Sequence, residues 1–217
     1  MDGQVTEAKP ASGAGEDKRL EKFIADPKLL ATFWTAQAAW AFVVSLPVTL
    51  SNYAAAARAS EYVTKGITHR FVGGRSYAAA CILAWSACFA LETAADYQKF
   101  VFKLNPENKG RFDSEGVWSW SRHPNYAGEI GMWVALAALA TPLLMATRGK
   151  GVGISSRLAQ TACAWLSPLF TAYLLTQVSG VPLLENKYDR IYENDAEYQL
   201  YKSVTPILFP NLKLRQP

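Results

Sequence analysis

The sequence predicts an all-α membrane protein, a polytopic bundle of about four transmembrane helices with an amphipathic C-terminal tail. Of the 217 residues, 50% are hydrophobic and only 18% are charged, whereas soluble domains carry about 25% charged residues. The charges are also segregated, because almost all of them lie outside four long apolar blocks. Each block matches or exceeds the roughly 20 residues that a helix needs to cross a bilayer. Lipid favours helices here, since it offers no partners to backbone polar groups.

The elements follow in order from this segregation. Residues 1–28 form a polar tail, which is neither a signal peptide nor an Arg-rich transit peptide because acidic residues are scattered through it. The membrane domain is predicted over residues 29–217, and Pro47 is expected to kink the end of its first helix. The four predicted spans are residues 29–57, 76–97, 126–146 and 158–184.

Composition excludes several classes of function. The net charge of +4 is too small to indicate a nucleic-acid partner. Cys81, Cys88 and Cys163 lie in apolar stretches without metal-ligand spacing, and 2 histidines are too few for a multi-histidine centre, so no metal site is predicted. No glycine-rich segment fits a nucleotide-binding loop between a strand and a helix.

Three carboxylates break the apolar pattern. Glu92 and Asp96 lie four residues apart near the end of the second block, and Glu129 lies about one turn into the third. A carboxylate inside a span is costly, so it should face the bundle interior or a wet cavity. For Glu92 and Asp96 two interpretations stay open: a polar stripe that faces a ligand, or a helix end whose Lys–Asp pairs are solvated.

The segment SRHPNYAGE at 121–129 carries a stronger signal. Pro124 suits the first turn of a helix, which places Asn125 and Glu129 on one face at i and i+4. Arg122 and His123 then crowd the N-terminus of that helix, where the dipole attracts phosphate or carboxylate groups.

Beyond the fourth block, Glu185 opens an amphipathic segment in which tyrosines alternate with charges. This segment is either an interfacial helix on the bilayer surface or the floor of a polar pocket beneath the third span.

Three stretches carry a family resemblance: ETAADYQKF, NKGRFDSEGVWSWSRHPNYAGEI and LLENKYDRIYENDAEYQLYKSVTPILFP. In order and spacing, they resemble the integral-membrane proteins related to the steroid 5-alpha-reductase C-terminal domain, the DUF1295 group. The resemblance covers a core of about residues 88–210. It implies a helical membrane fold that binds NADPH and reduces a carbon–carbon double bond in a lipid or sterol-like substrate. The implied cofactor-binding residues are Asp96, Lys99, Lys109, Arg111, Arg122, His123, Asn125, Glu129, Glu185, Tyr188 and Tyr201, and the implied catalytic residues are Glu129 and Tyr126.

Two departures from the reductases keep alternatives open. Only one span precedes the matching core, whereas the reductases take their proton donor from additional N-terminal spans, and Trp120 and Ala127 replace the usual Tyr and Phe. An S-adenosylmethionine-dependent membrane methyltransferase shares the RHP-x-Y-x-G motif and suits the short chain. A non-catalytic accessory subunit, bound to other membrane subunits, is the third hypothesis. The expected location is the endoplasmic reticulum or an inner membrane of a mitochondrion or plastid.

Overall fold

The computed structural model describes residues 26–65, 73–146 and 152–209, with side chains for all of these except 58–65. These residues form α-helices joined by short 3-10 and π-helical turns, and they contain no strand. The predicted polar tail, residues 1–28, lies almost entirely outside the described residues. The helices are α1 Pro27–Lys65, α2 Arg75–Leu104, α3 Pro124–Ala146, α4 Ile154–Tyr173, α5 Val181–Ile191 and α6 Ala196–Val204.

Four helical stretches in the described part of the chain are long and apolar enough to cross a membrane. They are Pro27–Ala57, Arg75–Leu104, Pro124–Ala146 and Ile154–Ile191. The predicted all-α membrane bundle is therefore confirmed, and the protein is a multi-pass membrane protein. Helix α1 continues through Pro47 to Lys65, and the kink expected at this proline stays a prediction.

The described residues divide into two compact units, one that ends at residue 41 and one that begins at residue 42. The described part of the first unit contributes the opening turns of α1, where Asp26 accepts the N–H of Lys28 at 2.9 Å. All candidate site residues belong to the second unit.

The fourth span is broken, although the sequence predicts one continuous helix. Helix α4 ends at Tyr173, a π-helical turn follows, and α5 begins only at Val181. Gly180 fits this break because a Cβ there would lie 2.6 Å from the Leu175 carbonyl oxygen and 2.9 Å from the Tyr126 ring. The break therefore sits against the motif at the start of α3, and π-helical turns are common at functional sites.

Helices α2 and α3 approach closely at two glycines of α3. A Cβ at Gly128 would lie 2.7 Å from the Cys88 carbonyl oxygen and 3.0 Å from the Glu92 nitrogen. A Cβ at Gly131 would lie 2.4 Å from Cys88 Sγ. Small residues allow this approach in lipid, where packing and not water exclusion drives helix association. The contact sets the carboxylates of α2 beside the first turns of α3.

A second contact region joins α1, α3 and α4. Its buried apolar cluster consists of Ala54, Ala140, Leu144 and Ala164. Ser167 Oγ of α4 donates to the Val44 carbonyl oxygen of α1 at 2.9 Å. Trp165 Nε1 donates to Thr141 Oγ1 of α3 at 3.0 Å. Ser167 and Trp165 thus find their hydrogen-bond partners inside the bundle, where lipid offers none.

Candidate functional site

Backbone hydrogen bonds join the motif before α3 to Pro206 and Ile207, which follow α6. The backbone N–H of Arg122 donates to the Pro206 carbonyl at 2.9 Å, and that of His123 donates to the Ile207 carbonyl at 3.1 Å. Because these two N–H groups are already bonded, attraction for an anion at this end of α3 comes largely from side chains.

Glu185 of α5 joins the two side chains of this motif. Its Oε1 lies 2.9 Å from His123 Nε2, and its Oε2 accepts a hydrogen bond from Arg122 Nη1. Lys202 of α6 lies 3.8 Å from the same Oε2 and 2.5 Å from Asp189 Oδ1. The Arg122, His123 and Glu185 side chains are only 10%, 2% and 15% exposed. We use the name Glu185 cluster for Arg122, His123, Glu185, Asp189 and Lys202.

Two nitrogen atoms of the Glu185 cluster are buried without a hydrogen-bond partner, Nδ1 of His123 and Nε of Arg122. The His123 ring stacks on Tyr126, with the ring centroids 5.4 Å apart and the planes 8° from parallel. Buried polar atoms are nearly always paired in folded proteins. These two atoms are therefore the ones in the cluster that can take up a ligand group.

Aromatic side chains wall the Glu185 cluster. The Phe112 ring contacts Tyr192, Tyr198 and Tyr201, with centroids 5.3 to 5.5 Å apart. The Tyr201 hydroxyl donates to the Trp118 carbonyl oxygen at 2.7 Å. Burial raises the pKa of Tyr201 above its ordinary value, so this hydroxyl keeps its proton and remains a donor at neutral pH.

A cavity of about 40 Å³ lies between the cluster and this aromatic wall. Its volume suits about one water molecule. Lys99 of α2 reaches the cavity and places Nζ 4.6 Å from the centroid of the Trp118 ring, a cation–π contact. The predicted site residues that line the cavity are Lys99, Arg122, Glu185, Tyr188 and Tyr201.

The remaining carboxylates form a second group beside the Glu185 cluster. Asn125 Nδ2 donates to Asp96 Oδ1 at 3.1 Å. Glu129 lies within electrostatic range of both Asp96 and Glu92. Asn125 Oδ1 and one oxygen of Glu92 are buried without a hydrogen-bond partner. Tyr126 lies within range of Asp96 and Glu129 while it stacks on the histidine of the first group, so it connects the two.

Two of the predicted cofactor-binding residues do not line this cavity. Lys109 and Arg111 are both exposed in the segment after α2. Arg111 lines a separate cleft of about 270 Å³, together with Glu115, Asp195 and Glu197. The acidic lining of this cleft makes it a poor place for a phosphate group.

Sequence reasoning does not single out Asp189, Lys202 or Trp118. Asp189 and Lys202 resemble the solvated charges of any amphipathic segment, and the tryptophan resembles an interfacial aromatic. One signal was available, because Glu185 and Asp189 lie four residues apart and so share one face of a helix. The partner lysine on α6 could not be inferred in this way.

A family model described as a protein of unknown function (DUF1295) matches residues 7–205 of the chain. The matched range includes both groups of candidate residues. Comparison with curated proteins and with solved structures gives no match.

Proposed function

The chain belongs to the DUF1295 family, and from this premise we propose that it is a reductase-like membrane protein. It binds NADPH and reduces a carbon–carbon double bond in a lipid or sterol-like substrate that reaches it from the bilayer. One observation carries the proposal: Glu185 holds Arg122 and His123, which lie 63 and 62 positions away in the chain, in one buried ionic cluster.

The residues of the site suit a dinucleotide in their chemistry. Arg122 offers an unpartnered guanidinium N–H, and Lys99 adds a second cation at the cavity, as a pyrophosphate requires. His123 Nδ1 and Asn125 Oδ1 are buried and unpartnered, which suits a ligand that carries amide and hydroxyl groups. A cavity of about 40 Å³ is too small for a dinucleotide, so binding requires the aromatic wall to open.

The residues of the site would have separate roles in binding the cofactor and in donating a proton. Arg122 and Lys99 hold negative charge, and Glu185 fixes the guanidinium so that its free edge faces a ligand. Glu129 and Tyr126 are the candidate proton donors, because Tyr126 stacks on the His123 ring and Glu129 lies within electrostatic range of this tyrosine. NADPH, when bound, supplies the hydride. Helices exposed to lipid give an apolar substrate direct access from the membrane.

Ligand-dependent stability of the purified protein in detergent tests the proposal. A ligand at 100 times its dissociation constant stabilises a protein by about 2.7 kcal/mol. We expect NADPH to raise the unfolding midpoint, and Arg122→Met to abolish this effect. Arg190→Met is the matched control, because Arg190 is exposed on α5 and lies outside the cluster. Consumption of NADPH with a panel of lipids that carry activated double bonds then tests catalysis.

One observation favours a second candidate, an S-adenosylmethionine-dependent methyltransferase. Glu92, Asp96 and Glu129 gather carboxylates within electrostatic range of one another, and carboxylates attract the ammonium and sulfonium groups of that cofactor. Stabilisation by S-adenosylmethionine alone would replace the reductase proposal with this one. Stabilisation by neither cofactor would favour the accessory-subunit hypothesis, which co-purification with other membrane proteins tests.

A further inference from the structure

A second ion pair, between Asp189 and Lys202, lies next to Glu185. Asp189 follows it by one turn of α5, and Lys202 of α6 places Nζ 2.5 Å from Asp189 Oδ1. The same Nζ lies 3.8 Å from Glu185 Oε2. The Tyr198 hydroxyl also donates to Asp189 Oδ1, at 3.3 Å. Helix α6 therefore reaches the charged face of α5 through two side chains.

The charges of this pair bear on Glu185. Carboxylates at i and i+4 of a helix repel each other, and Lys202 lies within 4 Å of both Glu185 and Asp189. Without Lys202, Glu185 and Asp189 would repel each other and move apart. Removal of Asp189 would free the lysine to move onto Glu185 and compete with the histidine and arginine of the motif.

We propose that Asp189 and Lys202 are positioning residues that hold Glu185 between Arg122 and His123. They act through Glu185 and do not themselves bind the ligand. The inference rests on the proposed function only for its effect on NADPH affinity. Its effect on the state of His123 is measurable in the protein without any nucleotide.

The hydrogen bond between His123 and Glu185 reports the arrangement directly. Loss of Lys202 lets Glu185 and Asp189 move apart, and loss of Asp189 lets Lys202 draw Glu185 away from the histidine. Both variants should therefore weaken the contact between His123 Nε2 and Glu185 Oε1. The two substitutions change the charge of the cluster in opposite directions, so an effect of charge alone would have opposite signs in the two variants.

The first experiment uses selective ¹⁵N-histidine labelling. The chain has 2 histidines, so His69→Gln leaves His123 as the single labelled ring. At one fixed pH, we expect the ring ¹⁵N chemical shift of His123 to move in the same direction in Lys202→Met and in Asp189→Asn, because both variants weaken its hydrogen bond to Glu185. Lys187→Met, which removes an exposed lysine from α5, should leave the signal unchanged. An unchanged signal, or shifts of opposite sign in the two cluster variants, would overturn the inference.

The second experiment measures the dissociation constant for NADPH in the same variants. We expect Lys202→Met and Asp189→Asn each to weaken binding about tenfold, the lower end of the effect of removing an outer-layer partner at metal sites. Lys202→Arg should restore binding to within about twofold of the native protein. If Lys202 instead binds phosphate itself, Asp189→Asn frees it and binding tightens, which contradicts a positioning role.

The two experiments separate the inference from the proposed function. Parallel shifts of the His123 signal in a protein that binds no NADPH would refute the proposed nucleotide and leave the positioning pair in place. Normal NADPH binding with no response of His123 would support the nucleotide and refute the positioning pair. Should Lys202→Met fail to fold, Lys202→Gln and Asp189→Asn carry the same comparison.

Discussion

The packing of α2 against α3 gives a prediction whose sign can be worked out from the structure. In an unhindered helix, Gly→Ala stabilises by about 1 kcal/mol. At Gly131, however, the new Cβ would lie 2.4 Å from Cys88 Sγ, well inside van der Waals contact. Overpacking of this kind costs about 1–3 kcal/mol. We therefore expect Gly131→Ala to lower the free energy of unfolding, by up to about 2 kcal/mol.

Cys88→Ala should reverse that sign. Without Sγ, the nearest atom to the new Cβ is the Cβ of residue 88, at 3.3 Å, which a small adjustment relieves. In the Cys88→Ala background, Gly131→Ala should therefore be neutral or stabilising, with a coupling energy of at least about 1 kcal/mol. Gly128→Ala is the matched control, because none of its obstacles is Cys88 Sγ: they are the backbone oxygen of Cys88 at 2.7 Å, and Cβ and the backbone nitrogen of Glu92 at 2.9 and 3.0 Å. It should destabilise in both backgrounds.

The assay is equilibrium unfolding of the purified protein in mixed micelles, with increasing sodium dodecyl sulfate and tryptophan fluorescence as the signal. Four proteins complete the cycle: native, each single variant and the double variant. If Gly131→Ala stabilises the protein with Cys88 present, the close contact between α2 and α3 is wrong. The same conclusion follows if Cys88→Ala leaves the cost of Gly131→Ala unchanged.

Two further predictions concern the wall of the cluster. Tyr201→Phe removes the hydrogen bond to the Trp118 carbonyl oxygen and should lower the free energy of unfolding by about 1 kcal/mol. The same change at the exposed Tyr173 should have no effect. Equal losses at both positions would contradict the hydrogen bond from Tyr201. Burial raises the pKa of Asp113 above its ordinary 3.8, so ionisation at neutral pH destabilises the folded protein and this penalty disappears as the pH falls below the raised pKa. Asp113→Asn keeps the oxygen that accepts the Glu115 N–H at 3.2 Å, so it should stabilise the protein at pH 7 and match the native protein in acid. A gain that persists in acid would show another cause.

The spans could be predicted because their signal is local. Each apolar block is long and nearly free of charge, and in lipid that pattern leaves few alternatives to a helix. The start of α3 was also predictable, because Pro124 restricts its own backbone. The break at Gly180 was not, since it depends on how close the Leu175 carbonyl and the Tyr126 ring come to that glycine. Such distances are set by tertiary packing, which an apolar pattern does not specify.

The candidate site follows the same division. Arg122, His123 and Glu185 stand out in the sequence, and the structure brings them into contact. The resemblance implies Lys109 and Arg111 as cofactor-binding residues, yet both are exposed and neither lines the cluster's cavity. Charge alone cannot say which lysine or arginine turns inward. That depends on the way α5 and α6 fold back against the motif.

The geometry at residue 122 suggests why an arginine stands there. One guanidinium nitrogen, Nη1, is bonded to Glu185, while Nε is buried with no hydrogen-bond partner. A planar guanidinium can serve two partners along different edges at once, whereas an ammonium group is a compact point charge. Arg122 can therefore stay fixed by Glu185 and still offer an N–H to a phosphate oxygen. Lysine would preserve the charge at this position, but its donors all radiate from one nitrogen and do not present two separate edges of a fixed plane.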